Sequence, residues 1–170
     1  NSEYKMFNKL HFVSLLACGL FVIAQANTVK KCEKKMPASL KSQLCEIRKY
    51  KLLDTPDMDK HMDCVMKALD FVRPDGTGDY HKLIKPLNAI EKDRKHDFNL
   101  EKCGGQTQHL PVGKRANAYY KCLVESTSGE AFKKVFDTVE LVKAKKLPAL
   151  SQYSSVVDKM MKKIDDKICN

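Results

Sequence analysis

Two carboxylates, Asp137 and Glu140, stand three residues apart in the segment FKKVFDTVE, residues 132–140. Phe132, Val135, Phe136 and Val139 recur there at helical spacing. At about 100° per residue, Glu140 falls about 40° from Phe136, and Asp137 about 60° beyond Glu140. The acids are therefore neighbours that flank the apolar stripe. Two acids held together repel, so a cation that relieves the repulsion gains charge-assisted hydrogen bonds. Facing a pocket, the pair is a site for a ligand ammonium. On the surface, it is a pair neutralised by Lys133, four residues before Asp137. The spacing alone leaves both arrangements open.

Three more polar residues sit at apolar edges. His61 projects from a face carrying Val65, Ala68 and Val72, Arg48 borders Leu44 and Ile47, and Tyr120 shares a face with Ala116 and Leu123. Taken singly, each reads as a satisfied core or rim side chain. Taken together, four helices that each turn a polar group inward suggest a polar-lined cavity in a helical bundle.

The elements that must position these groups read as helices, with little strand-type alternation. Leu40, Leu44 and Ile47 line one face after Pro37. Thr55 caps a helix that starts at Pro56, where the missing N–H costs nothing. Its inner stripe is Met58, Val65, Ala68, Leu69 and Val72, and residues 73–78 (RPDGTG) end it in turn chemistry. A third window spans residues 80–90 and is expected to break at Pro86. Cys103-Gly104-Gly105 is expected to open a loop running to Gly113. Residues 114–127 read as helical, with Ser128-Gly129 separating them from a helix over residues 130–145. Pro148 should break that helix, and Ser151 should cap a last one carrying Cys169.

Cysteine usage sets the compartment. Cys18 lies in a leader that starts at Met6, with Lys9 as its positive residue and an apolar run from Leu10 to Ile23. Ala24-Gln25-Ala26 is a small-x-small cleavage pattern, so residues 1–26 read as extra N-terminal residues plus a secretory signal, and the mature chain should start at Asn27. Cys32, Cys45, Cys64, Cys103, Cys122 and Cys169 then read as three disulfides in an extracellular domain. Six cysteines allow fifteen pairings, and spacing does not choose among them.

The mature part, residues 27–170, is a typical size for one domain. Of the net charge of +10, the leader's Lys5, Lys9 and Glu3 account for +1. A basic secreted chain can linger on anionic surfaces. The charges are interspersed, however, and no zinc-finger or aromatic RNA-binding pattern occurs, which argues against nucleic acid. No later stretch approaches the roughly 20 apolar residues of a membrane span.

Other chemistry finds little support. DGTGD at residues 75–79 fails the calcium-loop register, since Tyr80 stands where glycine belongs and Pro86 where the bidentate glutamate belongs. It reads as a turn. His61, His81, His96 and His109 form no short-range metal pair, and no nucleophile-elbow or phosphate-loop string occurs. An enzyme is not expected, nor a cofactor or a metal.

The strings SLKSQLCEIRKY, MDKHMDCVMKALDFV, GDYHK, NLEKC, YYKCL and FKKVFDTVEL, in that order, resemble the short-form D-seven salivary proteins of blood-feeding mosquitoes. That family is related to the insect odorant-binding proteins, and the resemblance spans about Cys32 to Cys169. It implies an all-α, disulfide-stapled bundle of about eight helices around a central pocket for biogenic amines. It implies the pairs Cys32–Cys64, Cys45–Cys169 and Cys103–Cys122. It also implies that Asp137 and Glu140 take the ligand's ammonium, that Arg48 and His61 approach the ring hydroxyl at the other end, and that Tyr120 lines the pocket. The function so implied is sequestration of serotonin, histamine or noradrenaline by a secreted, monomeric salivary protein. The alternative is inhibition of host coagulation or contact-activation proteins through a basic surface.

Overall fold

The computed structural model describes residues 28–170, so the leader and its cleavage site lie outside the described residues. Among the described residues there are nine helices and no strand, apart from one isolated bridge between Val72 and Gly78. Three short helices come first, α1 (Val29–Lys34), α2 (Ala38–Lys41) and α3 (Leu44–Arg48). Six longer ones follow: α4 (Pro56–Ala68), α5 (Tyr80–Ile90), α6 (Lys95–Thr107), α7 (Val112–Glu125), α8 (Gly129–Lys143) and α9 (Ser155–Cys169). None is long and apolar enough to cross a membrane.

Helix α4 begins as its sequence dictates. The Thr55 hydroxyl accepts from the Met58 N–H at 3.1 Å, and Pro56 occupies the first turn. Its stripe of Met58, Val65, Ala68 and Leu69 is buried against α7, with α1 and α2 on its other sides. Three helices close in the same way. At α3, α4 and α8 the residue after the cap, Tyr50, Asp70 and Lys145, takes a positive φ of 65°, 60° and 56°. The next N–H then turns back to the carbonyl five residues earlier, at 3.0, 2.9 and 2.8 Å for Lys51, Phe71 and Lys146. This double-bonded closure satisfies carbonyls that a helix end would otherwise leave open.

Five local expectations change. Helix α4 stops at Ala68, where the positive φ of Asp70 turns the chain, so Val72 lies beyond the helix and bridges Gly78. Helix α5 runs through Pro86 without ending. The proline removes one backbone bond near exposed Lys82, while Leu83 and Leu87 on the opposite side are fully buried, and that burial outweighs one lost bond. Helix α6 likewise continues through Gly104 and Gly105, held by buried Leu100 and Cys103. Each glycine costs about 1 kcal/mol relative to alanine. Ser151 does not cap α9. Its hydroxyl donates to the Pro148 carbonyl at 2.8 Å, and α9 starts four residues later, at Ser155. The face of Leu40, Leu44 and Ile47 is split between α2 and α3. The turn at residues 75–79 matches its expectation, since Asp75 accepts from the Thr77 N–H at 3.1 Å and Gly76 has φ of 80°.

The disulfides tie neighbouring elements together. Cys32–Cys64 joins α1 to α4, Cys45–Cys169 joins α3 to α9, and Cys103–Cys122 joins α6 to α7. The second spans a sequence separation of 124 and fixes the last helix beside α3. A tight reversal places α8, because a Cβ on Gly129 would lie 2.2 Å from the Val124 carbonyl oxygen. Gly129→Ala is expected to force the α7–α8 turn apart and cost about 2–3 kcal/mol. Thermal unfolding checks this: an unchanged midpoint would show that the turn relaxes freely.

Candidate functional site

The site lies where α3, α4, α7 and α8 converge, with α1 and α9 closing its sides. Arg48, His61, Tyr120, Asp137 and Glu140 all line one cavity, together with Glu33, Tyr50 and Phe136 among others. About 410 Å³ there is unfilled by protein and partly open to solvent. This cavity is the slot between the helices.

The aromatic wall is continuous. Phe136 lies with its ring centroid 5.8 Å from Tyr50, 5.9 Å from Tyr120 and 6.0 Å from both Phe71 and Phe132. Most of these pairs are tilted or edge-on, the geometry that ring quadrupoles favour. Phe136 lines the slot and Phe132 packs behind it in the core, both from the stripe of α8, so the helix that carries the acids also carries part of the wall.

Asp137 and Glu140 face this slot from α8. Lys133 does not neutralise them: its ammonium bonds Glu130 at 2.8 Å and lies over the Tyr50 ring. Asp137 accepts from the Tyr50 hydroxyl at 2.6 Å. Glu140, 9% exposed, faces both terminal nitrogens of Arg48 at 3.3 Å. Burial dominates the acidity of both carboxyls. It lifts Asp137 to about 6, against the opposing pull of the Tyr50 hydrogen bond and Arg48. It lifts Glu140 to about 7, again with Arg48 opposing.

Arg48 is a hub. Besides Glu140 it bonds Glu33 of α1 at 2.6 Å and Asp165 of α9 through Nε. It therefore lies beside Glu140, whereas the family resemblance would set it at the far end of the ligand from the acids. His61 stands apart from these ion pairs. It is buried, its Nδ1 has no hydrogen-bond partner, and burial lowers its pKa to about 4. It is a neutral imidazole that lines the slot, with Nδ1 buried and unpaired. Burial raises the Tyr120 hydroxyl well above its ordinary value, so it stays protonated.

Three participants escaped the sequence reading. Glu33 and Asp165 arrive from the first and last helices, and nothing in their local pattern marks them. Tyr50 lies just past the end of α3, where helical periodicity no longer speaks. Its only signal is its place in the string RKY beside Arg48.

Comparison with known proteins gives this arrangement a family. Residues 24–126 match the model of the PBP/GOBP family. The chain is 98% identical over 165 residues to short form salivary protein D7R1 of Anopheles gambiae, covering 97% of this chain and all of that one. Among solved structures it superposes on the D7R4–norepinephrine complex of Anopheles gambiae with a TM-score of 0.82. That match has 54% identity and covers 84% of this chain and 99% of the other. An AeD7–leukotriene E4 complex matches with a TM-score of 0.64 and 31% identity, over 75% of this chain and 45% of that one. The chain belongs to the short-form D7 salivary proteins of the PBP/GOBP family.

Proposed function

We propose that the mature chain, from Asn27 onward, is a single secreted domain of saliva that sequesters biogenic amines without chemical change. Serotonin, histamine and noradrenaline are its expected ligands, and their removal would counter vasoconstriction, platelet aggregation and inflammation at a bite. The observation that carries this reading is the acid pair lining one cavity with Tyr50, Tyr120 and Phe136. Two carboxyls whose burial makes ionisation costly gain most from an incoming ammonium, which supplies the missing positive charge. The slot's walls would then cover the ring, with His61 lining the same cavity near its polar substituent. The norepinephrine complex of D7R4 supports the same ligand class.

A scavenger acts by stoichiometry, so it needs tight binding. Nanomolar affinity corresponds to about −12 kcal/mol. Spread over the roughly thirteen heavy atoms of serotonin, that is about −0.9 kcal/mol per atom, within the limit for small ligands. Such efficiency requires a preorganised pocket, which three disulfides and the Arg48 hub help to supply.

The raised acidities make a pH test direct. An aliphatic ammonium stays charged well above neutral pH. At pH 7 Glu140, at about 7, is half protonated, and Asp137, at about 6, takes up its proton only below that, so the ammonium must displace these protons as pH falls. Serotonin affinity should therefore be highest near pH 8 and fall through pH 7 and 6, with a fraction of a proton released on binding at pH 7. Calorimetry in two buffers of different ionisation enthalpy counts that proton. Affinity that is flat from pH 6 to 8, with no proton released, would remove the acid pair from the site.

A further inference from the structure

Tyr50 occupies a backbone position that tyrosine fills at a cost. It is the residue after the cap of α3, with φ of 65°, a conformation that glycine adopts freely and other residues rarely. Asp70 and Lys145 hold the equivalent positions at α4 and α8, yet both are exposed. Tyr50 is turned inward instead. Its ring is edge-on to Phe136 and stacked at 6.5 Å on Tyr120, and its hydroxyl reaches Asp137 Oδ1 at 2.6 Å, with the Lys133 carbonyl at 3.1 Å. A tyrosine has one hydroxyl proton to donate, and the shorter contact to a carboxylate is the stronger acceptor.

We propose that Tyr50 is a positioning residue of the amine site, whose hydroxyl clamps one oxygen of Asp137 and leaves the other turned to the cavity as the ammonium acceptor. This deepens the amine reading and rests on it. The clamp works in both respects that matter. It fixes the rotamer of a short side chain at the slot edge, and it stabilises the anion against the burial that favours the neutral acid.

Other groups around Asp137 act on its charge but cannot replace the clamp. Arg48 of α3 lowers its proton affinity, while Asp158 and Asp165 of α9 raise it. Glu140 on its own helix, Tyr120 of α7 and Tyr153 before α9 are the remaining titratable groups coupled to it. His61 of α4 lines the same slot and is neutral near pH 7. Among the described residues, no other hydrogen bond reaches the Asp137 side chain.

Tyr50→Phe in the full chain tests the proposal, because it keeps the ring and removes only the hydroxyl. We expect unchanged helical content and an approximately tenfold loss of serotonin affinity at pH 7. The pH at which affinity is half lost should move upward. Carboxyl NMR titration of the ligand-free variant should show Asp137 releasing its proton at higher pH than in the parent, a change a merely structural ring would not cause. If Tyr50→Phe leaves both the Asp137 titration and the affinity profile in place, the proposal is overturned while the amine reading stands. If the parent protein binds no serotonin, the amine reading fails and takes the ligand role of Tyr50 with it, whereas the titration still decides the clamp. A titration that moves with affinity unchanged at every pH would also overturn it, since the clamp would then do nothing for the ligand.

Discussion

Asp137→Asn and Glu140→Gln should each weaken serotonin binding at pH 7.5 by about 30-fold or more, with the fold intact. Each change keeps side-chain shape and removes the charge. A hydrogen bond to a charged partner contributes about 1.5–3 kcal/mol, or roughly tenfold to 150-fold in affinity. Both carboxyls are set in a site where burial resists their ionisation, so water screens little of the attraction. The two effects should not add, because the acids share one ammonium, and a double-mutant cycle should expose that coupling. Both variants should still fold, since Asp137→Asn keeps an oxygen for the Tyr50 hydroxyl and, in Glu140→Gln, Glu33 and Asp165 still hold Arg48. Calorimetry that finds parental affinity in both variants would place the amine elsewhere.

The largest effect on the ligand-free protein is expected from Arg48→Met. Its side chain is 6% exposed, and the guanidinium holds Glu33, Glu140 and Asp165 from three different helices. Burial of the arginine opposes its charge, yet the surrounding acids outweigh that and hold it cationic. Removing one partner from a buried charge cluster typically costs about 3–5 kcal/mol, because the remaining charges are left uncompensated. For a chain of this length, that corresponds to a midpoint about 10 °C lower.

The pH dependence of that loss has a definite sign. Glu140 already binds its proton more tightly folded than its ordinary value of 4.5, so stability falls as pH rises from about 4.5 to 7. Without Arg48, which holds it down, Glu140 should rise further. The penalty of Arg48→Met should therefore be larger at pH 8 than at pH 5. Unfolding curves at the two pH values check this, and equal penalties would show that Glu140 is not a principal partner.

Local chemistry was the legible part of the chain. Thr55 and Pro56 mark the start of α4 because a cap depends on neighbours alone. Pro86 and Gly104–Gly105 misled because their local penalties are real but smaller than the burial of Leu83, Leu87 and Leu100. A window of sequence shows the penalty and hides the burial. The edge positions of Arg48, His61, Tyr120, Asp137 and Glu140 could be read from periodicity, and the structure gathers all five around one slot. Periodicity could not show that Arg48 points at Glu140. That contact depends on how α3 meets α8, and Cys45–Cys169 helps to set α3 against α9. Glu33 and Asp165 stayed hidden for the same reason, since each reaches Arg48 only once the first and last helices pack beside α3, and Tyr50 because it lies past the end of α3. The cysteines showed only that bridges exist, because fifteen pairings fit their spacing equally.

The most direct measurement is a crystal structure of the mature protein grown with serotonin. The account predicts the ammonium within about 3.2 Å of both Asp137 and Glu140, the indole inside the slot walled by Tyr120 and Phe136, and a polar contact to His61. An amine bound anywhere else on the molecule, or a slot that excludes it at saturating concentration, would contradict the central claim.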